Sequence, residues 1–160
     1  MKNAASASKE ILRGLMILTA AMATGVFLFM VVAVVMNQIN GPPGLQWREY
    51  QVQLSWIVAV VCIICFLTAR WNFSKGIQAA KNSINPLNEK LNRYRTSLIQ
   101  YLAVCEAPAL LSIVIFILTG YFVFLVFAAV MLGFMLAVVP LRRRVVTALE
   151  LNWEEQKELD

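Results

Sequence analysis

Four long apolar runs, separated by short polar segments, dominate the pattern along this chain. The runs cover residues 14–36, 52–70, 97–119 and 121–139. At about 1.5 Å per residue in an α-helix, the first and third runs reach about 35 Å and the other two about 28 Å, against a bilayer core of about 30 Å. The pattern therefore predicts four transmembrane helices in a single transmembrane domain, residues 1–160.

The polar segments between the runs predict how the helices connect. Runs three and four are joined by little more than Thr119, Gly120 and Tyr121, which predicts a tight antiparallel hairpin with glycine in the turn. Segment 37–53 between runs one and two contains helix-breaking glycines and prolines, and its Trp and Tyr suit the headgroup layer of an outer surface. An ordinary exposed loop is equally open there. The predicted fold class is all-α, a polytopic membrane four-helix bundle of two antiparallel hairpins.

Helical extensions are expected outside the apolar runs. Residues 71–96 are polar and compatible with helix on both sides of a break at Ile84-Asn85-Pro86. We expect runs two and three to continue there as a helical hairpin. Residues 145–160 combine apolar residues at near-helical spacing with intervening glutamates, which predicts an amphipathic tail. That tail would rest on the membrane face, on the basic hairpin or in solvent.

Lysine and arginine are concentrated on one side of the predicted bundle. Of the 14 basic residues, only Arg48 lies between runs one and two. Because basic residues near helix ends are retained in the cytoplasm, the bias predicts an N-in/C-in topology with both termini and the 71–96 hairpin cytoplasmic. This surface suits anionic lipid or an acidic partner, and a merely solvated loop is the simpler alternative. The predicted cytoplasmic basic surface comprises Arg70, Lys75, Lys81, Lys90, Arg93, Arg95, Arg142, Arg143 and Arg144.

Composition narrows the classes of function. The chain is 60% hydrophobic and 14% charged, with no histidine and three cysteines, and its mean hydropathy is +0.70. This leaves little material for a catalytic centre, so we expect no enzyme activity, no cofactor and no metal. Cys62 and Cys65 form a C-x-x-C without a nearby positive charge, and we interpret the pair as helix packing. The net charge of +5 reflects the orientation signal, and we expect no nucleic-acid partner.

Glu106 is the only carboxylate within the four apolar runs. It lies about 15 Å from the cytoplasmic start of the third run and so near the bilayer midplane. A carboxylate there costs about 2–3 kcal/mol on insertion scales, and it normally faces the bundle interior and marks an ion pathway or a buried contact. Since desolvation favours the neutral form, we expect Glu106 to be protonated at neutral pH.

Pro108 offers a structural interpretation of the same acid. A proline there has no N–H to donate to the carbonyl of Val104, which leaves an acceptor free in hydrocarbon. The donors available to that carbonyl are a protonated Glu106 and the hydroxyls of Tyr101, Thr24 and Ser112. A hydrogen-bonding role and an ion-linked role are therefore both open for Glu106.

Two stretches of the sequence resemble known membrane proteins. The run from Arg95 to Leu110 has a midplane acid followed by small residues and a nearby proline, and it enters from a polar loop. It resembles the carboxylate helix of proteolipid (c-type) subunits of rotary ATPases, which implies an ion-binding carboxyl at Glu106. From Lys90 to Asp160, the Glu-small-Pro-Ala-Leu sequence, the Thr-Gly turn, the basic stop and the acidic tail are similar to an uncharacterised family of small bacterial four-helix inner-membrane proteins. That resemblance implies a bacterial inner membrane and brings no activity with it.

Small residues recur at four-residue spacing in two of the runs. They are Ala21 and Gly25 in run one, and Ala129, Gly133 and Ala137 in run four. Such stripes let helices approach closely and are common association faces, within one chain or between chains.

Together these patterns predict a non-catalytic integral membrane protein that acts as a subunit, a scaffold or an oligomerising module of a membrane assembly. Its expected partners are the lipid bilayer and either copies of itself or other membrane subunits. The alternative is a proton- or ion-linked, proteolipid-like component that uses Glu106.

Overall fold

Helices make up nearly all of the described chain. The computed structural model describes residues 2–42, 49–81, 87–140 and 142–149, with side chains at 10–42, 49–81, 89–140 and 144–148. The helices are α1 (Lys2–Asn40), α2 (Gln51–Lys81), α3 (Leu87–Thr119), α4 (Val123–Ala137) and α5 (Arg142–Leu149). Since these ranges contain no strand, the predicted all-α class is confirmed.

Helix α3 is at the centre of the bundle, because one of its faces is buried along nearly its whole length. The buried positions follow a seven-residue repeat, with Leu91, Leu98, Cys105, Ser112 and Thr119 in one row and Tyr94, Tyr101 and Pro108 in a second. A repeat of 3.5 residues keeps one continuous seam turned toward neighbouring helices. Helix α3 accordingly makes extensive contacts with α1, α2 and α4.

The remaining helices pack around α3 with similar spacing. Helix α1 buries Leu12, Thr19, Val26 and Ala33, again seven residues apart. Helix α4 contacts both α1 and α2 in addition to α3. Helix α4 therefore packs against all three of the longer helices.

Hydroxyl groups buried in this core are satisfied within their own helices. Each donates to the carbonyl four residues earlier: Thr19 to Leu15 at 2.8 Å, Ser112 to Pro108 at 2.7 Å and Thr119 to Ile115 at 2.8 Å. This internal bonding is the usual way for Ser and Thr to lie in an apolar environment.

Three helices contain stretches long and apolar enough to cross a membrane, namely Glu10–Asn40, Gln51–Lys81 and Glu89–Thr119. Helix α4 is apolar but has only 15 residues, which gives about 22 Å against a bilayer core of about 30 Å. It is shorter than the predicted run 121–139 because tighter turns flank it. In those turns, the Phe124 N–H donates to the Tyr121 carbonyl (3.2 Å), and the Val139 N–H donates to the Leu136 carbonyl (3.3 Å).

Helices α2 and α3 pack closely against each other where the predicted runs 52–70 and 97–119 border the polar segment 71–96. The Phe73 ring lies 5.9 Å from the Tyr94 ring and 5.4 Å from the Tyr101 ring, between centroids. The approach is closest at Gly76, where a Cβ atom would lie 1.9 Å from Ser97 Oγ. The helical extensions expected on both sides of the break are therefore present in the fold.

Some predicted features lie partly outside the described residues. They include part of the outer loop at 43–48, the break at 84–86 and the tail beyond residue 149. Of the tail, α5 is described, and its Val145 is fully buried where α5 contacts α2. The start of the predicted amphipathic tail thus lies against the α2 extension.

The turn between α3 and α4 forms as the Thr-Gly-Tyr sequence predicts. Gly120 has a φ of 70°, a conformation that favours glycine, and its N–H donates to the Phe116 carbonyl at 2.7 Å. A Cβ at this glycine would lie 3.1 Å from Pro42 Cγ and 3.4 Å from Asn37 Nδ2. The first residues after α1 therefore cover the α3–α4 turn.

Candidate functional site

Glu106 lies on the edge of the buried face of α3. Its side chain is half-buried, while Leu102 and Ala109, one turn before and after it, are fully buried. Glu106 follows Arg95 by eleven positions, which at about 100° per residue completes three turns and returns to the same face. The acid therefore lies directly above Arg95, about 16 Å along the helix.

The carboxyl group of Glu106 has no hydrogen-bond or ion-pair partner among the described residues. Within those residues, no enclosed side-chain oxygen or nitrogen lacks a hydrogen bond. Because Glu106 makes none, its carboxyl oxygens must reach the surface of the bundle. A single chain thus leaves this acid accessible from outside, in the middle of an apolar helix.

Arg95 and the start of α1 border an open groove between α1 and α3. The groove encloses about 460 Å³ and is lined by Glu10, Ile11, Gly14, Leu15, Leu18 and Arg95. We call it the α1–α3 groove. At the other end of the bundle, Val34 of α1 and Phe116 of α3 line one common cavity. The two helices therefore run in the same direction, with an offset of about 80 residues along their shared contact.

The same offset relates Glu106 to the small residues of α1. It places Glu106 at the level of Gly25, which follows Gly14 by eleven positions just as Glu106 follows Arg95. Both Ala21 and Gly25 are exposed, and a Cβ at Gly25 would have no atom within 4 Å. Helix α1 thus presents an exposed surface of small residues at the level of Glu106.

The structure separates Glu106 from the two residues predicted to work with it. Tyr101 is buried, and its ring lies 5.4 Å from the Phe73 ring of α2 between centroids. Pro108 lies on the same buried row as Tyr101, and its carbonyl accepts the Ser112 hydroxyl. None of these groups contacts Glu106. Neither the Tyr101 nor the Ser112 hydroxyl donates to the Val104 carbonyl as the sequence suggested.

The small-residue stripe of α4 also faces outward. Ala129, Gly133 and Ala137 are exposed, and a Cβ at Gly133 would meet nothing within 4 Å. A Cβ at Gly25 or at Gly133 would meet no atom of another described helix within 4 Å. Both stripes remain available for contacts with another chain.

Most of the predicted basic surface is exposed at the end of the bundle where α2, α3 and α5 meet. Arg70, Lys75, Lys81, Arg93, Arg95 and Arg144 are exposed, Lys90 is half-buried, and the side chains of Arg142 and Arg143 lie outside the described ones. Some are engaged within the chain: Lys75 Nζ lies 3.8 Å from the Trp71 ring, Arg93 pairs with Glu89 at 3.3 Å, and Arg144 donates to the Ala137 carbonyl. Arg95 makes no ion pair with a described residue.

The three cysteines lie where α2 faces α3, as the packing interpretation requires. Cys62 and Cys105 are buried and Cys65 is half-buried, and all three are free thiols. Among the described residues, no group of His, Cys, Asp or Glu has the arrangement of a metal site.

Comparison of the chain with protein-family models, with curated proteins and with solved structures finds no match. The functional interpretation of the site therefore depends on the geometry of this chain. The feature that the sequence did not reveal is the α1–α3 groove, because its two walls come from separate helices. The sequence signal for this shared face is a pair of eleven-residue spacings, from Arg95 to Glu106 and from Gly14 to Gly25. Residues eleven positions apart lie on the same face of a helix.

Proposed function

We propose that this chain is a non-catalytic integral membrane protein that serves as a subunit or oligomerising module of a membrane assembly. Three helices have the length and apolarity to span a bilayer, and their outward positions carry large hydrophobic side chains such as Phe27, Trp56, Ile63 and Leu111. Basic residues at one end support an orientation with both termini in the cytoplasm. The resemblance to small bacterial four-helix proteins favours an inner membrane.

The observation that carries this proposal is the unpartnered carboxyl of Glu106. In a lone chain it would face hydrocarbon, which costs at least about 2–3 kcal/mol on insertion scales. A neighbouring chain that packs over Glu106 would remove the carboxyl from lipid and supply a hydrogen-bond partner. The exposed small residues Ala21 and Gly25 at the same level allow a helix to approach closely enough to do so.

The proposal is tested by comparing the oligomeric mass of Glu106 variants in native-lipid discs. Gln keeps the hydrogen-bonding capacity of a protonated Glu, so Glu106→Gln should preserve the assembly, while Glu106→Leu should release single chains. Leu111→Ala is the matched control, because Leu111 lies on α3 at an exposed apolar position. If Glu106→Leu leaves the mass unchanged while the chain stays folded, Glu106 does not hold the assembly together.

A second candidate, a proton- or ion-linked component, is favoured by the accessibility of the same carboxyl. A carboxyl that can be reached from hydrocarbon is the target of hydrophobic carbodiimides. Labelling that is lost in Glu106→Gln, together with proton flux in liposomes that is lost in the same variant, would support this role. Flux that is absent from the wild-type protein, or unchanged in Glu106→Gln, would exclude it.

A further inference from the structure

We propose that the cytoplasmic end of the α1–α3 groove binds the headgroup of a zwitterionic phospholipid of the phosphoethanolamine class. Arg95 would contact the phosphate and Glu10 the ammonium group. This inference rests on the proposed membrane placement of the chain, and it is independent of the proposed assembly with other chains.

The groove brings one acid and one base together without letting them neutralise each other. Glu10 and Arg95 line the same space of about 460 Å³, and both side chains are exposed. Neither forms an ion pair or hydrogen bond with any described residue. Arg13, about one helical turn after Glu10, lines a separate depression with it and forms no ion pair with a described residue either. An acid and a base held apart at one opening complement a ligand that carries both charges.

The depth of the two charges matches a headgroup layer. Glu10 and Arg95 precede the apolar runs that begin at residues 14 and 97 by two to four positions, or about 3–6 Å along a helix. A phosphodiester of an inner-leaflet lipid lies at this level when the runs span the hydrocarbon. Guanidinium groups bind phosphate oxygens through paired, charge-assisted hydrogen bonds. Arg95 therefore suits the phosphate.

Below the charges, the groove is apolar and has room for an acyl chain. Ile11, Leu15 and Leu18 line it, and a Cβ at Gly14 would meet no atom within 4 Å. An acyl chain attached to the bound headgroup can follow this wall into the bilayer.

Glu10 gives the groove its selectivity among lipids. A primary ammonium donates hydrogen bonds to a carboxylate, whereas the trimethylammonium of a choline headgroup has no N–H to donate. A phosphoglycerol headgroup carries only the negative charge of its phosphate, so Glu10 would repel it. Phosphatidylethanolamine should therefore bind in preference to both phosphatidylcholine and phosphatidylglycerol.

Native mass spectrometry of the full chain, titrated with these three lipids, tests the inference. The wild-type protein should retain one phosphatidylethanolamine more strongly than either other lipid. Arg95→Gln should weaken its retention about ten-fold or more, the usual scale for loss of a charge-assisted hydrogen bond. Glu10→Gln should abolish the preference over phosphatidylglycerol without reducing phosphatidylglycerol binding.

Arg93→Gln is the matched control. Arg93 is also exposed on α3, but it is paired with Glu89 at 3.3 Å and is not part of the groove. Gly14→Leu should reduce retention of all three lipids by filling the groove, and circular dichroism confirms that each variant remains helical. Equal effects of Arg93→Gln and Arg95→Gln, or an unchanged lipid preference in Glu10→Gln, would overturn the inference. A change of oligomeric mass in the Gly14→Leu and Arg95→Gln variants, with lipid retention unaltered, would assign the groove to a second chain and overturn it as well.

The outcomes also separate this inference from the proposed function. If the chain inserts and assembles but the groove variants bind phosphatidylethanolamine like the wild-type protein, only the lipid site is wrong. If the lipid preference follows Glu10 and Arg95 while the chain remains a monomer, only the assembly is wrong.

Discussion

Replacing Gly76 with alanine perturbs a close contact between α2 and α3. The added Cβ would lie 1.9 Å from Oγ and 2.7 Å from Cβ of Ser97. The Ser97 hydroxyl can rotate away if it gives up its 3.0 Å hydrogen bond to the Arg93 carbonyl, but its Cβ can move only if the helices separate. Overpacking of this kind costs about 1–3 kcal/mol, while alanine recovers about 1 kcal/mol over glycine in a helix. We expect a net loss of up to about 2 kcal/mol in the free energy of unfolding.

The loss can be measured by reversible unfolding of the full chain in mixed detergent–SDS micelles, followed by circular dichroism. Gly25→Ala is the matched control, because a Cβ there has no atom within 4 Å. That variant should be as stable as the wild-type protein or more stable, since only the helix propensity changes. The difference between the two alanine variants isolates the contact with Ser97.

A second substitution identifies the atoms responsible. Ser97→Gly removes both Oγ and Cβ, so Gly76→Ala should no longer destabilise the protein in that background. Ser97→Ala leaves the Cβ in place and should relieve the clash only in part. If the two alanine variants were equally stable in the wild-type background, the close approach of α2 and α3 at this point would be refuted.

Three further predictions concern single side chains. Ser112→Ala should change the free energy of unfolding by less than about 1 kcal/mol in the same micelles, because the Pro108 carbonyl keeps its backbone hydrogen bond when the hydroxyl is lost; a larger loss would mean that Ser112 bonds across helices. Glu89→Gln should cost less than about 0.5 kcal/mol and cost nothing in high salt, since its pair with Arg93 is half exposed; a salt-independent loss would contradict this. Burial raises the pKa of Tyr94 to about 12 from an ordinary value of 10.0, and the charge of Arg144 acts in the opposite direction. The neutral Tyr94 side chain therefore stabilises the fold fully below pH 10, and this stabilisation is lost as the pH rises through about 12. At pH 11 the wild-type protein and Tyr94→Phe should therefore show the same tyrosinate absorbance, and a clear excess in the wild-type protein would contradict the burial.

The helices could be predicted from the sequence because each apolar run is long and bounded by clear signals. Gly120 ends α3 in a left-handed turn, as its position between two apolar runs indicates. The exception is α4, which is shorter than its run because residues 121–122 and 138–139 adopt tighter turns. Apolarity alone does not distinguish an α-helical residue from one in such a turn.

The direction in which the Glu106 side chain points was harder to predict, since an acid near the bilayer midplane is expected to face the interior of the bundle. Cys105 occupies the buried row that includes Leu98 and Ser112, seven residues before and after it. The next position along the helix, Glu106, therefore falls at the edge of that row. The seven-residue repeat contains this information, but only the packing shows that no side chain of another helix reaches over to the carboxyl.

Features formed by two helices could not be predicted from either helix alone. The close contact of Gly76 depends on which residue of α3 lies opposite, and Ser97 is not marked by any local pattern. The α1–α3 groove likewise depends on the offset between α1 and α3, which brings Glu10 and Arg95 to the same groove. Such offsets are fixed by packing over the whole bundle.

The proposed role of Glu106 is tested most directly by the mass of the wild-type protein extracted in discs of its own membrane lipid. A carboxyl covered by a neighbouring chain predicts a particle that holds at least one further polypeptide, either a second 18.0 kDa copy or another membrane subunit. A uniform population of single 18.0 kDa chains, with Glu106 accessible to lipid-soluble carboxyl reagents, would contradict the account.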